Sequence, residues 1–356
     1  MPITTNNLRV TKMQPLVAPS DLIAEMPVSD ASALTVQGGR AAIQQILRGE
    51  DSRLIAIVGP CSIHDPKAAL DYARRLQALR VELADQIEIV MRVYFEKPRT
   101  IGGWKGLVND PGLDGSFRIN DGLRTARDLL SRITEMGLPV ASEFLDTAVP
   151  QYIADLVSWA CIGARTTESQ IHREMVSGLS CPVGFKNGTR GNVQIAVDAV
   201  RSAAQPHHFM GLTNDGQAAI VATAGNPDCH VVLRGGAGTN YDEASVNGAS
   251  DTCERGGLRP ALMIDASHAN SGKKPEVQPD VLEYIGRQVA RGDTRIIGVM
   301  VESNLVGGKQ ALGKAPLVYG QSITDGCLAW EPTATALRAL ARDVTARREQ
   351  RLAIAV

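Results

Sequence analysis

Short apolar runs recur along most of the chain and are separated by longer segments of mixed polarity. Eight such runs lie between residues 54 and 301, and they are rich in Val and Ile with little alternation of polar positions. Strands that are buried on both faces of a parallel sheet have this composition. The predicted strands are 54–58, 87–95, 139–144, 159–164, 182–185, 230–233, 260–265 and 296–301.

Helical periodicity fills several of the intervals between these strands. After Asp65 and Pro66, a favourable N-cap and first helical residue, apolar side chains recur every three or four positions up to Leu83. Further helices are predicted over 31–48, 120–136 and 333–348. Two glycines, Gly38 and Gly39, interrupt the first of these and weaken its helical pattern.

Eight strand–helix repeats in one chain predict a closed (β/α)8 barrel, or TIM barrel. A doubly wound open sheet is the alternative. Its first strand would normally be followed by a glycine-rich turn, whereas this chain has the sequence GPCSIHDP over 59–66. The barrel is therefore the preferred prediction.

Two parts of the chain depart from the regular pattern. We expect residues 1–50 to form an N-terminal extension, with an extended piece at Leu8-Arg9-Val10, and residues 51–356 to form the barrel. Residues 187–229 are too long for a plain connection between the fifth and sixth strands. The sequence around Asn214-Asp215-Gly216 predicts a β-hairpin within this insertion.

Composition limits the classes of function. The 356 residues include 37 Lys and Arg against 38 Asp and Glu, and this balance argues against a nucleic-acid or membrane-surface binder. No apolar run reaches the roughly 18 residues of a membrane-spanning helix, and the N-terminal sequence does not resemble a signal peptide. Six widely scattered cysteines favour reduced thiols. We expect a cytoplasmic protein without nucleic-acid or membrane partners.

Cations gather where the predicted strands end, at the rim that carries the active site of such barrels. They are Arg92, Lys97, Arg165, Lys186 and Arg234. Arg binds a carboxylate or phosphate through two parallel hydrogen bonds, and Lys adds a mobile charge. A small substrate with two anionic groups fits this set, with a second phosphate near Arg99. The alternative is that each cation pairs with a neighbouring acidic side chain.

A second group of strand-end residues has the chemistry of metal ligands. Cys61, His268 and Glu302 follow the first, seventh and eighth strands, which barrel closure makes neighbours. Asp325 could complete a set of four. A thiolate, an imidazole and two carboxylates suit Mn²⁺, Fe²⁺, Co²⁺ or Zn²⁺. Taken alone, Cys61 would more often be a buried apolar residue, so the combination carries the prediction.

The ordered motifs of the chain closely resemble those of the class I DAHP synthases, the 3-deoxy-D-arabino-heptulosonate-7-phosphate synthases. The resemblance covers nearly the whole chain and is to the feedback-regulated form with an N-terminal extension. The motifs that carry it are VGPCSIHDP, VMRVYFEKPRT, GWKGLVNDP, IGARTTESQIHRE, PVGFKNGT, LRGG, DASHAN, GVMVESN and SITD.

The resemblance implies condensation of phosphoenolpyruvate with erythrose 4-phosphate and release of phosphate, the first step of the shikimate pathway. Phosphoenolpyruvate would bind the five cations, and one divalent metal ion would bind Cys61, His268, Glu302 and Asp325. Erythrose 4-phosphate would meet Lys97, Pro98, Arg99, Thr100 and Asp325. The catalytic residues would be Lys97, Cys61 and His268, with Lys97 or a metal-bound water as the proton donor.

The resemblance also implies feedback inhibition by an aromatic amino acid and a homodimer or homotetramer. It further implies that residues 1–50 make regulatory or oligomer contacts. The effector pocket would be formed by Pro150, Gln151, Leu179, Ser180, Phe209, Gly211 and Val221. Gly211 replaces a serine that is frequent in phenylalanine-inhibited relatives, which favours Tyr or Trp over Phe. Asn6-Asn7, where relatives often have acidic residues, and Ile101-Gly102 in the substrate loop are further differences.

Two other functions are weighed against this one. A KDO-8-phosphate synthase condenses phosphoenolpyruvate with a five-carbon sugar phosphate, but the Lys97-Pro98-Arg99-Thr100 stretch favours the four-carbon sugar. A non-catalytic barrel that senses a metal or an aromatic amino acid belongs to another class. The complete ligand set argues against it, because such a protein would be expected to have lost a ligand.

Overall fold

Eight parallel strands close into a barrel. In the computed structural model, which describes residues 5–313 and 316–354, the strands are β1 (Leu54–Gly59), β2 (Ile87–Arg92), β3 (Val140–Glu143), β4 (Trp159–Ile162), β5 (Val183–Lys186), β6 (His208–Leu212), β7 (Ala218–Ala222), β8 (Cys229–Leu233), β9 (Leu262–Asp265), β10 (Ile296–Glu302), β11 (Val306–Lys309) and β12 (Gln321–Ser322). The barrel order is β1-β2-β3-β4-β5-β8-β9-β10, and β10 pairs with β1. The predicted (β/α)8 barrel is therefore confirmed, and the open sheet is excluded. Residues 1–4 of the predicted extension, and residues 314–315 and 355–356 of the predicted barrel, lie outside the described ranges.

The second predicted strand is three residues too long. β2 ends at Arg92, although Val93, Tyr94 and Phe95 are all buried. The carbonyl oxygen of Tyr94 accepts a hydrogen bond from the N–H of Ile63, in the loop after β1, at 2.8 Å. The apolar pattern thus reports burial, whereas the strand ends where pairing with β3 gives way to loop contacts. The other predicted barrel strands agree with the structure to within two residues at each end.

The described residues contain ten α-helices. They are α1 (Pro19–Glu25), α2 (Asp30–Arg48), α3 (Pro66–Glu82), α4 (Ile119–Glu135), α5 (Pro150–Ile153), α6 (Gln170–Val176), α7 (Gln194–Ala203), α8 (Glu243–Arg255), α9 (Gln278–Ala290) and α10 (Trp330–Ile354). The Asp65 side chain caps α3 by accepting from the N–H groups of Lys67 and Ala68, as the sequence predicts. Among the described helices, none combines the length and the apolar character needed to cross a bilayer.

Helix α2 runs through its two glycines without interruption. Gly38 is exposed, and a Cβ added there would have no heavy atom within 4 Å. Gly39 is buried, and a Cβ there would lie 2.9 Å from both Pro139 Cβ and Ser158 Oγ. It therefore permits close contact between α2 and the segments that precede β3 and β4. The helix ends at Gly49, whose φ of +75° gives the left-handed cap that glycine favours.

The beginning of the described chain differs from the prediction. Leu8-Arg9-Val10 is not extended, because the N–H of Val10 bonds to the carbonyl oxygen of Asn7 at 3.1 Å and closes a turn. Leu8 is 74% exposed, so its apolar side chain indicates no buried strand. Helix α1 was not predicted, since prolines punctuate this segment. Pro19 begins that helix, where its missing N–H costs nothing.

The insertion after β5 contains the predicted hairpin. β6 and β7 pair in antiparallel orientation with Phe209 opposite Val221, and the turn lies at Asn214-Asp215-Gly216. The N–H of Ser20, in α1, donates to the Asn214 carbonyl oxygen at 2.7 Å, and its hydroxyl bonds to Asp215. The tip of the hairpin is thereby attached to the first described helix.

A two-stranded parallel sheet of β11 and β12 was not predicted. The sequence of β11 is VGGK, and two glycines in four residues give little strand signal. This small sheet follows β10 directly and brings Gly308 and Lys309 to the mouth of the barrel.

Candidate active site

A cavity of about 860 Å³ lies at the carboxyl-terminal mouth of the barrel. It contains most of the residues that the sequence analysis selected. Those that line it are Arg92, Lys97, Pro98, Arg99, Thr100, Arg165, Lys186, Arg234, His268, Glu302 and Asp325. Cys61 lies just beneath the lining and is fully buried. The fold thus gathers residues from eight separate segments of the chain.

The pairing of the strands explains how the first and eighth strands meet at this cavity. Gly59, the last residue of β1, is in register with Glu302, the last residue of β10. A Cβ at Gly59 would lie 2.6 Å from the backbone oxygen of Arg92, so glycine allows β1 and β2 to approach closely. The chain then passes through Pro60 and places the Cys61 thiol within 4.8 Å of a Glu302 carboxylate oxygen.

Three of the four predicted metal ligands form a close group. Each of Cys61, Glu302 and Asp325 offers a ligand atom, and these atoms lie within 4.8 Å of one another. His268 does not meet that distance with all three, but its Nε2 is 3.7 Å from Glu302 Oε1. The Lys97 ammonium bridges the group, with Nζ 2.8 Å from Cys61 Sγ and 3.0 Å from Asp325 Oδ2. A cation therefore suits this donor set, whose mixed chemistry fits a borderline divalent ion.

The charges in this group depend strongly on one another. Burial raises the pKa of the Cys61 thiol, and the carboxylate of Glu302 raises it further. Burial alone would lower the pKa of Lys97, yet Cys61, Glu302 and Asp325 together raise it, so the side chain stays an ammonium. Burial alone would raise the pKa of Asp325, but Lys97, with His268 and Cys61, holds it well below its usual value. The thiol therefore becomes a thiolate most readily when a metal cation is bound.

Arg92 is held rigidly at the floor of the cavity. Its Nε donates to the Pro60 carbonyl oxygen at 3.1 Å, and one terminal nitrogen donates to Cys61 O at 3.2 Å and Glu302 Oε1 at 3.0 Å. The guanidinium lies 3.6 Å above the centre of the Tyr94 ring. The other terminal nitrogen has no hydrogen-bond partner among the described residues. Its donors are available to an anionic ligand.

The other cations divide into two kinds. Lys186 is buried and donates to Asp265 Oδ2 at 2.8 Å. Arg165 and Arg234 line the cavity without an ion pair among residues 5–313 and 316–354. Pairing with acidic neighbours, the alternative raised by the sequence, therefore applies to Arg92, Lys97 and Lys186 but not to these two arginines.

The loop after β2 brings the predicted sugar-phosphate residues to the same cavity. Pro98, Arg99 and Thr100 line it, and the Nε of Arg99 donates to the Trp104 carbonyl oxygen at 2.9 Å. The N–H of Lys97 bonds to Lys105 O at 2.9 Å and closes the base of the loop. Loop-internal bonds thus hold these residues beside Lys97.

Two acidic residues of the cavity region were not selected from the sequence. Glu143 ends β3, is 9% exposed and lines the cavity among the cations. Asp265 ends β9, is fully buried and contacts both Lys186 and His268. Their positions could be read from the predicted strands, because Glu143 is next to last in one and Asp265 ends another, but the sequence assigns neither residue a role.

The seven predicted effector residues do not line this cavity. They lie on α5, in the segment after α6 and on the hairpin: Pro150, Gln151, Leu179, Ser180, Phe209, Gly211 and Val221. Phe209, Gly211 and Val221 share the half-buried face of the hairpin. The hydroxyls of Ser177 and Thr223 bond at 2.6 Å and join the end of α6 to the hairpin. The end of α6 and the hairpin are therefore neighbours, and the seven residues lie apart from the lining of the cavity.

Comparison with known proteins establishes the family. The family model described as "DAHP synthetase I family" matches residues 25–338. The chain belongs to the DAHP synthetase I family. This membership confirms the resemblance that the motifs indicate.

Similar proteins agree over nearly the full length of this family member. A "Phospho-2-dehydro-3-deoxyheptonate aldolase, Phe-sensitive" from Escherichia coli (strain K12) is 55% identical over 344 residues, covering 96% of this chain and 98% of the relative. A Trp-sensitive protein of the same name from Enterobacter agglomerans is 53% identical and covers 96% and 99%. The solved "Structure of Phospho-2-dehydro-3-deoxyheptonate aldolase from Francisella tularensis SCHU S4" has a TM-score of 0.94, 50% identity, and coverage of 95% of this chain and 99% of that one.

Proposed function

We propose that the protein is a DAHP synthase, a transferase that condenses phosphoenolpyruvate with erythrose 4-phosphate, takes up one water molecule and releases phosphate. The observation that carries the proposal is one cavity in which five cations adjoin a thiol, an imidazole and two carboxylates. The cations match two anionic substrates, and the ligand set matches a metal-dependent condensation. Membership in the DAHP synthetase I family supports the same reaction.

One divalent metal ion, Mn²⁺, Fe²⁺, Co²⁺ or Zn²⁺, would be held by Cys61, His268, Glu302 and Asp325. Bound there, such an ion would polarise the aldehyde carbonyl of erythrose 4-phosphate toward attack by the enol carbon. Cys61 and Glu302 are buried, so their charges act in a poorly solvated environment where electrostatic interactions are strong. The donor set favours these ions over Mg²⁺ and Ca²⁺, which prefer oxygen ligands alone.

The cations would bind phosphoenolpyruvate and hold it near the second substrate. Arg92 offers unpaired donors at the floor of the cavity, and Arg165 and Arg234 offer guanidinium groups without ion pairs among the described residues. Lys186 adds a buried ammonium. Fixed cations offset the repulsion between two anionic substrates and orient them for reaction.

Lys97 is the proposed proton donor, because its ammonium stands between the two proposed sites. Its raised pKa keeps the proton on the nitrogen, and its contacts with Cys61 and Asp325 direct the nitrogen toward the metal-ligand group. A proton delivered to the oxygen of the aldehyde would neutralise the charge that develops when the new carbon–carbon bond forms. Pro98, Arg99 and Thr100 would bind the phosphate of erythrose 4-phosphate, and Asp325 would contact the same substrate.

A choice between two sugar phosphates tests the reaction. Purified protein with Mn²⁺ and phosphoenolpyruvate is mixed with erythrose 4-phosphate or with arabinose 5-phosphate, and the release of inorganic phosphate is followed. We expect release at least about 100-fold faster with the four-carbon sugar, a difference of about 2.7 kcal/mol in activation free energy. Faster release with arabinose 5-phosphate would favour a KDO-8-phosphate synthase instead.

Regulation and assembly form the less direct part of the proposal. An aromatic amino acid would bind between α5, the end of α6 and the hairpin, with Tyr or Trp favoured over Phe because of Gly211. The relatives named Phe-sensitive and Trp-sensitive are 55% and 53% identical, so overall identity does not select the effector. Adding each amino acid to the phosphate assay would identify it.

The proposed assembly is a cytoplasmic homodimer or homotetramer. Residues 1–50 would be a regulatory or oligomer-contact extension of the catalytic barrel, residues 51–356. The attachment of the hairpin tip to α1 supports a link between this extension and the effector site. Sedimentation of the purified protein would measure the number of chains.

A further inference from the structure

A single buried carboxylate joins the candidate metal site to a substrate-binding cation. Asp265 is wholly buried at the end of β9, and its Oδ2 accepts from Lys186 Nζ at 2.8 Å and lies 2.9 Å from His268 Nδ1. Its Oδ1 accepts from the N–H of Ser267 at 3.0 Å and from the hydroxyl of the same residue at 2.6 Å. Both oxygens are therefore engaged, and one of them is shared between two functional side chains.

The position of Asp265 determines which nitrogen of His268 is free. Nδ1 faces Asp265 Oδ2 and also lies 2.7 Å from Ser267 Oγ, whose proton goes to Asp265. Both neighbours therefore accept from Nδ1–H, which leaves the lone pair on Nε2. That nitrogen is the one on the side of Glu302. His268 also has a φ of +56°, uncommon for a residue with a side chain, so the backbone is held in a special conformation at this point.

We propose that Asp265 is a positioning residue that couples metal binding at His268 to phosphoenolpyruvate binding at Lys186. The inference rests on the proposed function, because it assigns both ligands as proposed above. Carboxylates that orient metal-binding histidines are a general feature of metal sites. The additional property here is the second donor, Lys186, on the same oxygen.

The direction of the coupling follows from competition for that oxygen. When Nε2 of His268 binds a cation, its ring becomes more positive and Nδ1–H becomes a stronger donor to Asp265. The carboxylate then holds the Lys186 ammonium less firmly, and this ammonium is freer to bind an anionic substrate. By linkage, the substrate must strengthen metal binding by the same factor.

The test measures binding in the absence of turnover. Metal-free protein is titrated with Co²⁺, and the absorption that arises when a thiolate binds cobalt reports the Kd. Calorimetry then gives the Kd for phosphoenolpyruvate with and without Co²⁺, with no sugar phosphate present. In the unmodified protein we expect Co²⁺ to strengthen phosphoenolpyruvate binding at least about fivefold, the lower end of typical coupling between sites.

Asp265→Asn removes the charge with almost no change in size. We expect its Kd for Co²⁺ to rise about 10- to 100-fold, the usual effect of losing an orienting carboxylate. The factor by which Co²⁺ strengthens phosphoenolpyruvate binding should fall to nearly one. Asp242→Asn is the matched control, since Asp242 caps α8 and asparagine is an equally good cap. This control should leave both quantities unchanged.

A second variant keeps the inference testable if Asp265→Asn does not fold. Ser267→Ala keeps the carboxylate but removes one of its hydrogen bonds and one acceptor for Nδ1–H, so it should raise the Kd for Co²⁺ by a smaller factor. An unchanged Kd for Co²⁺ in either folded variant, or an unchanged coupling factor in Asp265→Asn, would overturn this inference but not the proposed function. Failure of the unmodified protein to bind Co²⁺ through a thiolate, or to bind phosphoenolpyruvate, would overturn the proposed function as well.

Discussion

At the scale of single residues, the candidate site depends on a thiol in an unusual setting. Cys61 is fully buried, and its sulfur contacts an ammonium, from Lys97, and a carboxylate, from Asp325. A buried thiol that only filled space would be surrounded by apolar groups. These polar surroundings suit the proposed role of the sulfur as a metal ligand, and oxidation of the thiol would prevent normal metal binding.

Replacing this thiol should separate metal binding from folding. We expect Cys61→Ala to lower metal-dependent turnover at least about 100-fold. Without the thiolate the metal binds poorly, and a metal ion contributes several kcal/mol to the stabilisation of the transition state. The melting temperature of the metal-free protein should change little. Cys253→Ala, at a buried cysteine in α8, is the control and should keep full activity. Retained turnover in Cys61→Ala, or an equal loss in both variants, would refute the ligand assignment.

A buried histidine in the barrel interior should make the fold sensitive to acid. His230 accepts a hydrogen bond from Trp159 Nε1 at 3.0 Å, and burial lowers its pKa to about 4. Unfolding releases the ring to its ordinary pKa of about 6.5. The stabilisation from the neutral ring is therefore complete above pH 6.5 or so and is lost as the pH falls toward 4.

Urea unfolding at several pH values measures this effect. Between pH 6.5 and 4, the free energy of unfolding should fall more steeply for the unmodified protein than for His230→Gln, by at most about 1.4 kcal/mol per pH unit. Equal slopes for the two proteins would show that His230 does not titrate as described.

Single residues also show what the sequence can and cannot predict about a site. Cys61, His268 and Glu302 could be selected because barrel closure brings the ends of their strands together. The contact between Lys97 and Cys61 could not be predicted, because it depends on the path of the loop after β2. The role of Asp265 was likewise hidden, since an acid at a strand end has no distinguishing pattern until its neighbours are known.

At the scale of elements, α2 shows how packing overrides local preference. Two adjacent glycines should weaken a helix, yet α2 is continuous over 19 residues. One of them faces solvent, and the other lies where Pro139 and Ser158 leave no room for a side chain. Close packing therefore requires glycine at position 39, whereas no contact requires it at position 38.

This difference gives a matched pair of substitutions within one helix. Gly38→Ala should raise the free energy of unfolding by about 0.5–1 kcal/mol, because alanine restricts the unfolded chain and no atom obstructs its Cβ. Gly39→Ala should lower it by about 1–3 kcal/mol, the usual cost of overpacking. Chemical unfolding of both variants measures the two signs. Effects of the same sign would contradict the packing described for α2.

Element boundaries were predictable where a local signal coincided with the fold. Asp65 and Gly49 mark helix ends through capping, which depends only on nearby residues. β2 was overestimated because burial continues past the last paired residue, and the turn at Leu8 was missed because an exposed apolar residue resembles one in a strand. Pairing and exposure are properties of the whole fold, so short segments do not reveal them.

At the scale of the whole molecule, closure of the barrel is the feature that creates the candidate site. β10 pairs with β1, and this contact brings Glu302 to Cys61 across more than half of the chain. The closed barrel could be predicted because eight buried strands and their helices leave few alternative arrangements. The seating of the hairpin tip on α1 could not, because it joins two exposed segments without a shared pattern.

The most direct measurement of the central claim is phosphate release from phosphoenolpyruvate and erythrose 4-phosphate before and after removal of metal. We expect release to require both substrates, to stop after treatment with EDTA, and to return when Mn²⁺ or Co²⁺ is added in excess. Cys61→Ala should not recover under the same conditions. Release that continues at the same rate after complete metal removal, or no release once metal is restored, would contradict a metal-dependent synthase.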